Sequence, residues 1–203
     1  MSKHPSVFIR RKKMSETQSS TKPGFSAKVL TFSAVCIALG YALSFVKIFH
    51  FPWGGSITLC SMLMVALIGY FFGPVVGLIG AFIYGVLQFF QGGAYVLSPL
   101  QVCLDYFVAF TALGLTGFFK DKKNGLLIGY IIGILVRGAL HALGGYLYWM
   151  DYMPEEFPAS LAVVYPIVYN YAYIIGEGII TVILISLPPV KKALNRVRSM
   201  AQS

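Results

Sequence analysis

The sequence predicts an all-α membrane protein, a bundle of about six transmembrane helices with both termini in the cytoplasm. Three observations lead there. Of 203 residues, 57% are hydrophobic and only 11% are charged, an apolar share above that of soluble domains. Apolar segments of about 20 residues recur along the chain, the length that crosses ~30 Å of hydrocarbon. The basic residues gather outside those segments, at Lys3, Arg10, Arg11, Lys12, Lys13, Lys22 and Lys28, at Lys120, Lys122 and Lys123, and at Lys191, Lys192, Arg196 and Arg198. With six spans, both tails and the 120–124 loop share one face, which then holds fourteen of the sixteen Lys and Arg residues. The positive-inside rule makes that face cytoplasmic. The net charge of +9 is thus a signal of topology and anionic lipid, not of nucleic acid.

The chain divides into a disordered basic N-tail at 1–27, a six-helix transmembrane domain at 28–189 and a basic C-tail at 190–203. Polar SETQSSTKPG separates the N-terminal basic cluster from the first span, unlike a cleaved signal peptide. The first span, roughly 28–46, repeats Ala34, Ala38 and Ala42 at every fourth residue, a small-residue stripe that lets another helix approach closely. Such a stripe serves either packing within the chain or docking of a partner. The loop KIFHFPWGGS at 47–56 has an aromatic tip at Trp53 and two glycines. A short second span at 57–72 turns at Gly73-Pro74 into the third, 75–90, where Gly73, Gly77, Ala81 and Gly85 form a second small stripe. The fourth span starts at Pro99, a residue suited to a first helical turn, and runs to Phe119 with Ser98, Gln101 and Asp105 on one face. The fifth, 125–148, passes Gly125, Gly129 and Gly133 before reaching Arg137. An acidic loop with Asp151, Glu155 and Glu156 follows, then the sixth span at about 160–187, stopped by Pro188-Pro189. Cys36, Cys60 and Cys103 lie in apolar segments, and their odd number and spacing suit neither a disulfide framework nor a zinc site.

The segment VRGALHALGGYLYWMDY, 136–152, places Arg137 and His141 one turn apart inside an apolar helix. An ionisable side chain near mid-bilayer costs at least ~3 kcal/mol, so it usually faces a partner or a cavity. Counting 1.5 Å per residue, Asp105, His141, Tyr165 and Asn170 fall roughly 8–15 Å from one surface, with Arg137 and Glu177 deeper. Two arrangements follow. In one, Arg137 and Glu177 pair as a floor, leaving Asp105 as the single net charge of an aromatic cup that suits a small, flat cation. In the other, Asp105 pairs with Arg137 and the polar groups only pack helices together. No HExxH, phosphate-cradling GxxxxGK[ST] or nucleophile motif is present, so neither an enzyme nor an ATPase is expected.

The runs GGAYVLSPLQVCLDYFVAF, RGALHALGGYLYW and AVVYPIVYN together resemble the thiamin-binding membrane subunit, or S-component, of energy-coupling factor transporters, the ThiT/YuaJ family. The resemblance covers about residues 29–190 and leaves out the N-tail. It implies a multi-pass protein of a bacterial cell membrane whose 28–189 bundle binds thiamin from outside, without a cofactor. The partners it implies are a transmembrane coupling subunit, two cytoplasmic ATPases and the lipid bilayer. It further implies that the ligand is covered by Trp53 and contacted by Asp105, Arg137, His141, Trp149, Tyr165 and Asn170, and that Ala34, Ala38 and Ala42 dock the coupling subunit. The chain departs from some relatives in having Asp105 for Glu, Arg137 for Lys and Gly138 for Tyr. An S-component for another small vitamin and a non-transport adaptor with merely packed polar residues are the competing expectations.

Overall fold

The fold is that of a computed structural model, which describes residues 25–51, 54–93 and 96–203. Among these, five helices are long and apolar enough to cross a membrane: α1 (Ala27–Ser44), α3 (Pro74–Gln91), α4 (Pro99–Phe119), α5 (Gly125–Tyr152) and α6 (Ala159–Ser186). Between α1 and α3 lies α2 (Ser61–Phe72), a shorter apolar helix of 12 residues. At 1.5 Å per residue it spans only about 18 Å, and nearly all of its side chains are buried. A six-helix bundle results, with the shortest helix at its centre. Large apolar side chains such as Val75, Phe90 and Ile183 stay well exposed on the outside. Lipid replaces water as their solvent, so a surface of this kind is stable.

Glycine sets how closely the central helices approach. A Cβ on Gly77 of α3 would sit 2.6 Å from the Gly69 Cα of α2 and 2.9 Å from the Gly114 carbonyl of α4. One on Gly129 of α5 would meet the Thr116 Cα of α4 at 2.7 Å. The small stripes of the third and fifth spans are therefore intramolecular contacts. The stripe of α1 is not. Ala34, Ala38 and Ala42 are exposed, while the opposite face, Cys36, Gly40 and Ser44, packs on α2 and α3.

Three features differ from the expectation of plain helices and loops. Within 47–58, β1 (Lys47–His50) and β2 (Ser56–Thr58) pair antiparallel, a hairpin too short to show a strand period in the sequence. The fourth and fifth spans are interrupted by π-helical stretches at Cys103–Val108 and Gly145–Trp149. The residues after Pro188 form a further helix, α7 (Pro188–Gln202), with Pro at its first turn. It lies back on α2, where Arg198 stacks over Tyr70 and Gln202 donates to the Phe71 carbonyl.

Candidate functional site

The end of the bundle that carries the hairpin opens into a cavity of about 480 Å³, a volume ordinary for small-molecule sites. Its wall comes from the C-terminal ends of α1, α3 and α5, the N-terminal ends of α2, α4 and α6, and the hairpin. Of the residues expected to form a site, Asp105, Arg137, His141, Trp149, Tyr165 and Asn170 all line it. Trp53 lies outside the described residues. Gly54 and Gly55, beside it in sequence, reach the cavity.

Asp105 is held from two helices. Gln101 Nε2 donates to its Oδ2 at 2.8 Å and Trp149 Nε1 at 2.9 Å, while His141 Nδ1 stands 3.6 Å from Oδ1. Asp105 and Trp149 both sit in the π-helical stretches. A π-turn shifts the direction of the side chains that follow it, which is why such turns recur at functional sites. The approach also requires Gly144, because a Cβ there would lie 2.5 Å from Asp105 Oδ1. Nothing in the local sequence around Asp105 announced that dependence.

Arg137 is buried, with its guanidinium 4.1 Å over the Phe110 ring. Its Nε donates to His141 Nε2 at 3.3 Å. That bond makes Nε2 the acceptor nitrogen and leaves the imidazole proton on Nδ1, aimed at Asp105. Guanidinium, imidazole and carboxylate thus stand in a row, hydrogen-bonded between the first two and 3.6 Å apart between the last two. Arg137 thus pairs with neither of the carboxylates weighed from the sequence: among the described residues, no ion pair joins it to Asp105 or Glu177.

Glu177 has other partners, and they correct the expected Arg137–Glu177 floor. Its Oε2 accepts from the Thr58 backbone N–H at 3.1 Å and from the Thr58 hydroxyl, and its Oε1 accepts from the Met62 N–H at 2.9 Å and Ser61 Oγ at 3.2 Å. The start of α2 has no side-chain cap of its own, since Cys60 stands in the left-handed region. A carboxylate from α6 supplies what a local cap would supply, satisfying an orphan N–H and complementing the helix dipole. Counting depth along one helix cannot reveal a cap provided by another.

The remaining wall is aromatic and amide. Tyr165, Tyr169 and Tyr173 follow one another along α6 with ring centroids 5.8 Å apart, and Tyr106 and Phe110 face them from α4. Asn170 Nδ2 donates to the Pro166 carbonyl at 2.8 Å and its Oδ1 accepts from Tyr173 at 2.7 Å. The Gly55 N–H donates to the Tyr169 hydroxyl at 3.1 Å, fastening the hairpin tip over the tyrosine ladder. Gly55 must be glycine here, because its Cβ would fall 2.7 Å from the Tyr173 ring. Tyr106, Phe110, Tyr169 and Tyr173 had only apolar or helical spacing to show in the sequence, which any packed helix shares. Counting charges, two buried or half-buried carboxylates face one buried guanidinium, with exposed Lys47 at the rim.

Residues 30–196 match the family described as thiamine transporter protein (Thia_YuaJ). The chain is 31% identical to the thiamine transporter ThiT of Bacillus subtilis over 149 residues, which cover 67% of this chain and 76% of that protein. It is 26% identical to ThiT of Lacticaseibacillus paracasei over 78% of this chain and 85% of that one. Among solved structures, ThiT from Listeria monocytogenes superposes with a TM-score of 0.62 at 25% identity, over 79% of this chain and 94% of the other.

Proposed function

The chain belongs to the thiamine transporter family, and from that premise we propose that it captures thiamin in the cavity beneath the hairpin and delivers it for uptake as the S-component of an energy-coupling factor transporter. The family is one of transporters, not enzymes, and the chain is a multi-pass protein of the cell membrane. The observation that carries the reading is Asp105, a carboxylate braced by Gln101 and Trp149 on an aromatic wall. Thiamin is a flat aminopyrimidine joined to a thiazolium with a fixed positive charge. A carboxylate offers about four lone-pair sites, so Asp105 retains acceptor capacity beside its two bracing bonds. The tyrosine ladder and Trp149 supply faces for stacking and cation–π contact. Trp53, next to the glycines of the hairpin tip, is assigned the role of a cover.

In this reading the cavity opens outward and the face with Lys120, Lys122 and Lys123 is cytoplasmic, in keeping with the positive-inside rule. The sequence holds no nucleotide-binding GxxxxGK[ST] motif, in keeping with energy supplied by a separate transmembrane coupling subunit and two ATPases. The Ala34, Ala38 and Ala42 stripe, exposed among the described residues, suits close approach by that coupling subunit. Uptake of labelled thiamin in cells with and without the coupling and ATPase subunits tests the proposal. Uptake only when all are present supports it. Uptake by this chain alone identifies a self-sufficient carrier instead.

A further inference from the structure

A second cavity, of about 550 Å³, lies at the opposite end of the bundle, between the start of α5, the end of α6 and α7. Lys122, Lys123 and Lys191 line it together with the amides of Asn124 and Asn195, and among the described residues no carboxylate does. The acid of this region, Asp121, is turned to Lys120 and Arg198. The first residues of α5, Gly125 to Leu127, form part of the wall, and Asn124 gives that helix no side-chain cap. Three lysines and the start of a helix without a side-chain cap therefore border one recess. Behind them the wall is apolar, made by Leu126, Ile185 and Leu194.

We propose that this recess holds the phosphate of an anionic phospholipid headgroup, with the apolar wall taking the first part of an acyl chain. Anionic charge is what three lysines without a counter-carboxylate select, and basic recesses between transmembrane helices on the positive face are suited to lipid phosphate. Lys191 Nζ already reaches Asn124 Oδ1 at 3.4 Å across the gap, so a bound phosphate bridges α7 to the α4–α5 turn. A soluble phosphate ester shares this chemistry, but it makes no use of Leu126, Ile185 and Leu194. The inference is independent of the ligand bound at the other end of the chain.

The test is native mass spectrometry of the full chain released from phosphatidylcholine nanodiscs with and without phosphatidylglycerol. One phosphatidylglycerol should be retained in preference to phosphatidylcholine. The triple variant Lys122→Gln, Lys123→Gln, Lys191→Gln should weaken that preference on the order of a hundredfold, at about a factor of five for each lysine removed. All three side chains are exposed, and an unchanged far-ultraviolet circular dichroism spectrum and melting temperature provide the check that the variant is folded. A control pair, Lys192→Gln and Arg196→Gln, removes charge from the same helix but outside the recess and should leave retention unchanged. Equal loss in the control pair overturns the site in favour of diffuse surface charge, as does retention without preference for the anionic lipid. Displacement of the lipid by inorganic phosphate supports the phosphate site and shows that it is open to soluble esters. Displacement only by competing phospholipid supports it as a lipid site.

Discussion

Replacing Asp105 by Asn separates charge from shape at the centre of the outer cavity. The two side chains are nearly isosteric, so the stacking walls remain. At ~5 Å and an effective dielectric of ~20, a carboxylate attracts a thiazolium by ~3 kcal/mol, and incomplete exclusion of water lowers this to roughly 2–3 kcal/mol. Affinity for thiamin should therefore fall roughly 30- to 140-fold. A second effect falls on stability. Gln101 Nε2 and Trp149 Nε1 both donate to Oδ2, so the Asn carbonyl oxygen keeps them by taking that place, and the Asn amide group then faces the Nδ1 proton of buried His141. One buried donor then loses its acceptor, at a cost of ~1–3 kcal/mol in free and bound protein alike, which lowers the melting temperature without entering the affinity ratio. Isothermal titration with thiamin and with an analogue carrying a neutral aromatic ring in place of the thiazolium distinguishes the two. The variant should weaken thiamin strongly and the neutral analogue little. Equal weakening of both ligands would mean that Asp105 holds the geometry of Trp149 and His141 and contributes no charge complement. A loss below about tenfold for thiamin refutes the electrostatic argument outright.

Other perturbations probe the supporting structure. Gly144→Ala places a Cβ 2.5 Å from Asp105 Oδ1, and overpacking of this kind costs ~1–3 kcal/mol. It should weaken thiamin binding about tenfold while far-ultraviolet circular dichroism stays unchanged. Glu177→Gln removes the charge that four donors address; it should lower stability by ~2–4 kcal/mol and raise hydrogen exchange at the Thr58 and Met62 amides, and unaltered exchange there would disprove its capping role. Arg137→Ala leaves His141 Nε2 without its donor and removes the contact over Phe110, for a loss of ~2–3 kcal/mol in thermal unfolding. Ala34→Trp with Ala38→Trp adds bulk to an exposed face; thiamin binding by the isolated protein should persist and uptake by the assembled transporter should stop.

Much of the architecture was legible because the bilayer imposes length and punctuation. Gly73-Pro74, Pro99 and Pro188 mark helix starts or turns in sequence and in structure. The site was legible as far as ionisable residues in apolar runs are conspicuous: Asp105, Arg137 and His141 do meet at one cavity. Their pairing was not legible. Glu177 turned from Arg137 to the start of α2 because a hairpin and a left-handed Cys60 bring three residues of another segment to it. The π-helical stretches had no signal, since such turns arise from how neighbouring helices pack. α7 did have one: Val190, Leu194, Val197 and Ala201 recur at helical spacing, on a segment read only as a basic tail. Gly144 and Gly55 show the same limit, because a glycine's need for empty space lies in what packs against it.

The central claim, capture of thiamin at the outer cavity, is tested most directly by equilibrium titration of the detergent-solubilised chain with thiamin. Tryptophan fluorescence should quench in a saturable manner at one thiamin per chain, because Trp149 lines the cavity and is bonded to Asp105. The absence of a saturable response to thiamin, with a response to a neutral or anionic vitamin in its place, would contradict it.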